Sequence, residues 1–238
     1  MEQHKKFDLI TFGETMLRLS PPQNGRIFRS EIFEKHAGGA ELNVASGVSL
    51  LGMRSGIITR LPRNELGTFV KNRIRFSSVS DDFIIYDDSS DARLGIYYYE
   101  NGAYPRKPTV VYDRKHSSIT NIRPEEIPDD IYGKTRMFYT SGITLALCEN
   151  TRTLAIQLIK KFKEAGAKIA FDVNYRANLW DEETARTTIK KILPYIDVLF
   201  VSEESCRRMF QMTGTLEDMH RQFCKEYPNI DIIASSMR

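Results

Sequence analysis

Residues 150–173, NTRTLAIQLIKKFKEAGAKIAFDV, decide the reading of the chain. Asn150 to Ala165 reads as a helix, Gly166 stands where a helix C-cap glycine belongs, and Lys168 to Val173 reads as a buried strand. The alternation extends in both directions. Before it comes a strand over Arg136 to Tyr139. After it come a helix over Glu182 to Leu193 with Asp181 at its N-cap, a strand over Val198 to Val201, helices over Glu203 to Met212 and Glu217 to Tyr227, and a strand over Ile230 to Ala234. At the start of the chain Phe7 to Gly13 reads as a strand. Glu41 to Leu51 follows as a helix, with Leu42, Ala45, Val48 and Leu51 at helical spacing. A strand over Ser55 to Leu61 and a helix over Glu65 to Phe76 repeat the unit. Strands alternating with helices predict an α/β fold, a parallel sheet covered by helices on both faces.

Two stretches depart from that alternation. Met16 to Ser20 and Glu31 to Lys35 read as short strands between the first strand and its helix, and Leu94 to Glu100 and Pro108 to Tyr112 read as a hairpin turning at Asn101-Gly102. Four short strands without helices predict a small separate sheet, a lid over the C-terminal ends of the parallel strands, where open α/β sheets bind ligands. The expected organisation is one α/β domain over 1–238 with lid strands inserted at about 14–36 and 93–114.

Composition narrows the function classes. A 41% hydrophobic and 27% charged chain of 238 residues is globular rather than disordered or fibrous. Its net charge of +3 is spread without basic runs, which gives no reason to expect nucleic acid or a membrane surface as partner. Cys148, Cys206 and Cys224 form no CxxC pair, so neither a disulfide framework nor a zinc site is indicated. No signal core and no apolar run of about 18 residues occurs, so the expected location is the cytoplasm. His4, His36, His116 and His220 show no metal-ligand spacing.

Four groups of residues carry candidate chemistry. Ala37-Gly38-Gly39-Ala40-Glu41-Leu42-Asn43 opens a helix with a glycine pair, either a backbone cradle with Asn43 one turn in or a tight capped turn. No dinucleotide fingerprint and no Walker-type phosphate loop is present. Phe171-Asp172-Val173-Asn174-Tyr175-Arg176 ends a buried strand in Asp, Asn and Arg, and an arginine there can grip a phosphate or carboxylate with two hydrogen bonds. In the lid, Tyr97 and Tyr99 alternate to one face and Tyr98 to the other, and Tyr104, Tyr112 and Arg114 add further phenols and a cation. Those rings either await a ligand or partner lid or pack on the main domain. Glu203 and Glu204, after Ser202, suit a helix first turn better than a magnesium site.

In order along the chain, Phe12-Gly13-Glu14, Met16-Leu17-Arg18-Leu19, Gly38-Gly39-Ala40-Glu41-Leu42-Asn43, Leu61-Pro62-Arg63-Asn64-Glu65-Leu66-Gly67, Arg93-Leu94-Gly95-Ile96-Tyr97-Tyr98, Tyr112-Asp113-Arg114, Ser141-Gly142-Ile143-Thr144 and Asp172-Val173-Asn174-Tyr175-Arg176 with Leu179-Trp180 resemble the ribokinase-like (PfkB) carbohydrate kinases. Within that family the set is most similar to the 2-keto-3-deoxygluconate kinases. The resemblance implies a Rossmann-like (ribokinase-like) parallel sheet with a β-sheet lid, and transfer of the ATP γ-phosphoryl group to a sugar-acid hydroxyl with Mg2+. It implies substrate contacts from Gly39, Asn43, Tyr97, Tyr112, Arg114, Ile143 and Arg176, nucleotide contacts from Asn174, Arg176 and Ser202, and a homodimer or higher homo-oligomer through the lid. A keto-acid carboxylate, neutral hydroxyls and a charged phosphoryl group call for these residue types.

Two departures from the family pattern shape the expectation. Ser202-Glu203-Glu204-Ser205 stands where the family presents Asn-x-x-Glu, which leaves the metal ligands unassigned. The glycine-rich segment that carries the family's base aspartate does not occur before Arg238, so the base is expected beyond it, and a protein ending there is expected to turn over negligibly. The alternatives are a non-catalytic fragment that binds sugar acid or dimerises, and a kinase for another sugar such as fructose or a nucleoside.

Overall fold

The computed structural model describes residues 5–236. The strands and α-helices are, in chain order, β1 (Phe7–Phe12), β2 (Met16–Ser20), β3 (Glu34–Gly38), α1 (Ala40–Leu50), β4 (Ser55–Pro62), α2 (Glu65–Phe76), β5 (Ile84–Asp87), β6 (Ile96–Glu100), β7 (Thr109–Asp113), β8 (Thr135–Ser141), α3 (Gly142–Leu147), α4 (Glu149–Glu164), β9 (Lys168–Asp172), α5 (Glu182–Ile192), β10 (Val198–Phe200), α6 (Glu203–Arg208), α7 (Leu216–Glu226) and β11 (Ile232–Ala234). They form two compact units, one from the residues up to Phe12 with those from Arg123 onward, the other from Gly13–Ile122. Seven parallel strands flanked by helices run through the chain, five in the first unit and two in the second, and the second unit also holds a separate four-stranded sheet.

In the first unit the strand order is β11-β10-β9-β8-β1, every pair parallel. Ile10, Phe138, Ile169, Phe171 and Leu199 are fully buried, because these strands are covered on both faces and read as continuous apolar runs. Helix α4 buries Leu154, Ala155, Leu158, Ile159 and Phe162, a stripe at helical spacing, and Phe162 stacks on Phe138 with ring centroids 4.3 Å apart. Asp181 caps α5 as its sequence position predicts, its carboxylate accepting from the Thr184 N–H at 2.8 Å.

In the second unit β4 pairs with β5 in parallel, and the separate sheet has the order β3-β2-β6-β7. Its pairings are antiparallel except β2 with β6, where Leu17 lies opposite Ile96 and Arg18 opposite Tyr97. One face, with Leu17, Leu19, Ala37 and Ile96, packs on a core of Leu42, Ala45, Ile57, Leu61, Val70 and Ile74. Period-2 alternation turns Arg18, His36, Tyr97 and Tyr99 to the opposite face.

The structure corrects several sequence expectations. The strand expected over Glu31 to Lys35 runs over Glu34–Gly38, because its antiparallel register pairs Ser20 with Glu34 and Met16 with Gly38. β6 and β7 pair antiparallel, but the register Glu100 to Thr109 makes residues 101–108 a loop rather than a turn at Asn101-Gly102. Within it Ala103 and Arg106 bridge across a turn at Tyr104-Pro105, and Pro108, without an N–H, cannot extend the β7 pairing toward them. The helix expected to reach Met212 ends at Arg208. β5 and the short helix α3 were not predicted. Among the described residues no helix is long and apolar enough to cross a membrane.

Candidate active-site residues

In the second unit the site is built around a buried carboxylate that sequence reasoning did not single out. Glu14, 3% exposed, follows β1 and Gly13. Its Oε2 accepts from Arg114 Nε at 2.8 Å and from Arg114 Nη2, and its Oε1 accepts from the Ser117 hydroxyl at 2.5 Å. The Arg114 side chain is itself only 10% exposed. The guanidinium edge at Nη1 has no protein acceptor among the described residues.

The predicted residues gather around that pair. Tyr97 and Tyr112 are direct cross-strand partners with ring centroids 5.8 Å apart, and the Arg114 guanidinium carbon lies 5.5 Å from the Tyr112 ring centre. Burial pushes the Tyr97 phenol up against the opposing pull of Arg18, so it stays neutral and can both donate and accept. Gly38 and Gly39 serve the same assembly. A Cβ on Gly38 would lie 2.4 Å from the Tyr97 hydroxyl, and one on Gly39, whose φ is +146°, would lie 2.4 Å from the Glu14 carbonyl oxygen. The glycine pair therefore seats α1 close against Glu14 and Tyr97. Asn43, one turn into α1, is exposed, and its backbone N–H donates to the Gly39 carbonyl at 2.9 Å.

In the first unit the candidates sit at the C-terminal ends of the parallel strands. Ser141 of β8 and Phe200 of β10 both lie opposite Asp172 of β9. Asp172 is raised above the usual carboxylate range by burial, which outweighs a hydrogen bond from the Asn174 N–H at 3.1 Å and the charge of Arg176. Asn174, at φ 31°, turns the chain out of the strand, and Arg176 is exposed two residues on. A Cβ on Gly142 would lie 2.1 Å from the Val173 carbonyl oxygen, so α3, carrying half-buried Ile143, starts directly against the end of β9. Tyr175 donates its hydroxyl to the Trp180 carbonyl at 3.1 Å, and Arg152 lies over the Trp180 ring at 5.5 Å. Ser202 is the N-cap of α6, accepting from the Ser205 N–H at 3.1 Å and bonded to the Ser205 hydroxyl at 3.0 Å. The structure thus places Gly39, Tyr97, Tyr112 and Arg114 together in one unit, and Ile143, Asn174, Arg176 and Ser202 at strand ends in the other.

Residues 6–229 match the pfkB family of carbohydrate kinases. The chain belongs to that family. A 2-dehydro-3-deoxygalactonokinase of Haloferax volcanii is 41% identical over 207 residues, 87% of this chain and 64% of that protein. The chain therefore spans less than two thirds of that relative's length. The crystal structure of a 2-dehydro-3-deoxygluconokinase from Thermotoga maritima superposes with a TM-score of 0.92 at 33% identity, covering 100% of this chain and 73% of that one. An uncharacterized sugar kinase from Pyrococcus horikoshii in complex with ATP superposes with a TM-score of 0.76 at 26% identity, covering 85% of this chain and 66% of that one. The parallel sheet and the small second sheet of this pfkB-family chain are those of its solved relatives.

Proposed function

We propose that this protein is a sugar-acid kinase that transfers the γ-phosphoryl group of ATP to a hydroxyl of a 2-keto-3-deoxy sugar acid of the gluconate or galactonate class. The observation that carries the reading is Arg114, a guanidinium held by Glu14 beside the Tyr112 ring with its Nη1 edge free of protein acceptors among the described residues. A cation in a largely dry setting selects a carboxylate over a neutral sugar. Tyr97, Tyr112 and Asn43 supply hydrogen bonds for the substrate hydroxyls, and Gly39 lets the substrate approach backbone. Asn174 and Arg176 serve the ATP phosphates, and Ser202 lies toward the nucleotide. Names of relatives support the substrate class, and the ATP-bound neighbour supports the nucleotide.

The residues do not fit a protein-held magnesium ion. Among the described residues no three His, Cys, Asp or Glu side chains lie close enough to share a metal, and Ser205 is bonded to Ser202 where the family pattern has a glutamate. Magnesium takes oxygen ligands of the kind ATP phosphates provide. The catalytic base and the anion hole are not assigned to residues of this chain. The tyrosine face of the four-stranded sheet is also our candidate for a homodimer contact, which sedimentation at micromolar concentration tests.

Calorimetric titration with 2-keto-3-deoxygluconate, fructose and ATP tests the substrate reading without requiring turnover. The sugar acid is expected to bind at least about tenfold more tightly than fructose, and Arg114→Ala to remove that preference, since a hydrogen bond to a charged group contributes about 1.5–3 kcal/mol. Equal affinity for both sugars in the native chain would overturn the assignment.

A further inference from the structure

We infer that Glu14 is a positioning residue, one that sets the direction in which Arg114 presents its guanidinium to the substrate carboxylate. The inference rests on the reading of Arg114 given above. Three observations converge on Glu14. Its side chain is buried, yet its two carboxylate oxygens bond to one short segment, Arg114 and Ser117, about a hundred residues along the chain. Both Arg114 donors that it engages, Nε and Nη2, lie on one edge of the fork, so the planar group is fixed in rotation as well as in place. Two glycines make room for it: a Cβ on Gly95 would stand 2.5 Å from the Glu14 Oε1, and one on Gly39 would stand 2.4 Å from its carbonyl oxygen.

The arrangement does more than bury a salt bridge. An unrestrained arginine has many rotamers to lose when a ligand arrives, and Glu14 has ordered this one beforehand. The pair is neutral as a unit, so it can sit in a poorly solvated place without a ligand. A substrate carboxylate then meets the Nη1 edge at a fixed angle, with the Tyr112 ring centre 5.5 Å from the guanidinium carbon. The Gly39 contact links the same residue to the start of α1, so Glu14 holds the arginine and the glycine turn in one frame.

The test is calorimetric binding of 2-keto-3-deoxygluconate to the 238-residue chain as wild type, Arg114→Ala, Glu14→Asp, Glu14→Gln and the Glu14→Asp/Arg114→Ala pair, with the Arg114 Nε–H followed by proton–nitrogen NMR. Glu14→Asp keeps the charge but withdraws the carboxylate by one methylene, and about tenfold weaker binding with a shifted Nε–H resonance is expected, because misplacement by about 1 Å disrupts aligned contacts. Glu14→Gln keeps an acceptor in the same place and is expected to restore affinity to within about threefold of wild type, against about tenfold lost in Arg114→Ala. The double variant is expected to bind no more weakly than Arg114→Ala alone. If Arg114→Ala weakens binding and Glu14→Asp does not, the positioning role is overturned while the substrate reading stands. Additive losses in the double variant, or Glu14→Gln as weak as Glu14→Asp, overturn it as well. Unchanged binding in Arg114→Ala overturns the substrate reading and this inference with it. Should Glu14→Asp fail to fold, Ser117→Ala removes only the second bond to the carboxylate. It is expected to move the Nε–H resonance and weaken binding about threefold in a chain that keeps its folded amide spectrum, and no effect on either refutes the role.

Discussion

Three glycines of one helix and its flanks separate backbone strain from close packing in a single experiment. Gly47 lies inside α1 with nothing within 4 Å of the position a Cβ would take, Gly52 follows the helix at φ +84° with equally open space, and Gly39 precedes it at φ +146° with a Cβ position 2.4 Å from the Glu14 carbonyl oxygen. Alanine at Gly47 gains helix propensity, and stability is expected to rise by about 0.5–1 kcal/mol. At Gly52 alanine meets only the left-handed backbone, which costs about 1–2 kcal/mol. Gly39→Ala adds to about 1–3 kcal/mol of strain a backbone overlap that forces a shift, worth about 1–3 kcal/mol more, for about 2–6 kcal/mol in all. At roughly 2–4 °C per kcal/mol the melting temperatures should rank Gly47→Ala above wild type, then Gly52→Ala, then Gly39→Ala lowest by roughly 5–20 °C. Differential scanning calorimetry reads the order. Hydrogen exchange of the Asn43 amide, bonded to the Gly39 carbonyl, reads it locally if the two compact units melt separately. Gly39→Ala melting together with Gly52→Ala would refute the close approach to Glu14.

Further expectations concern buried charges. Asp197 is nearly buried. Burial alone would raise its pKa, but bonds from Lys163 at 2.7 Å, the Ile169 N–H at 2.7 Å and Lys168 at 3.1 Å together hold it below the usual carboxylate range. A depressed folded pKa stabilises above the unfolded value of about 3.9 and loses that contribution as pH falls through the folded value. Asp197→Asn should therefore lower stability by roughly 1–3 kcal/mol at neutral pH in urea unfolding, with the gap to wild type closing only below about pH 4; a constant gap would count against the linkage. Asp172 is the opposite case, raised by burial, so its ionised form opposes folding above the folded pKa. Asp172→Asn keeps the acceptor for the Asn174 N–H and is expected to melt higher than wild type at about pH 7 but not at about pH 3, and a variant that melts lower at neutral pH would show the burial argument to be wrong. Arg114→Leu should destabilise the chain by about 3–5 kcal/mol by stranding the Glu14 carboxylate, whereas an Arg114→Leu/Glu14→Gln pair should recover part of that loss in the same unfolding assay.

How much of this could be read from residues alone follows from the range of each interaction. The α/β alternation, the bounds of α2, the Asp181 cap of α5 and the alternation of Tyr97, Tyr98 and Tyr99 were legible, because spacing along one segment states which side chains share a face. The strand-end cluster of Asp172, Asn174 and Arg176 was legible for the same reason, since all three belong to one local turn. Serine at position 205 was visible too, but its bond to Ser202 needed the geometry of the α6 cap.

Tertiary structure decided what local spacing cannot carry. The parallel pairing of β2 with β6 joins residues about eighty positions apart, and that register, not the tyrosine run itself, puts Arg18 beside Tyr97. The true hairpin loop over 101–108 was set by where β6 and β7 pair rather than by its Asn-Gly dipeptide. Glu14 entered the sequence reading only within the Phe12-Gly13-Glu14 stretch, with nothing local to show which residue it would meet. Its partner Arg114 stands 100 residues away, and only the packed second unit, with Gly39 and Gly95 clearing space, brings the two within hydrogen-bonding distance. A periodic pattern determines faces because it is a property of one chain segment; a buried ion pair is a property of two segments, so it exists only once the core between them has formed.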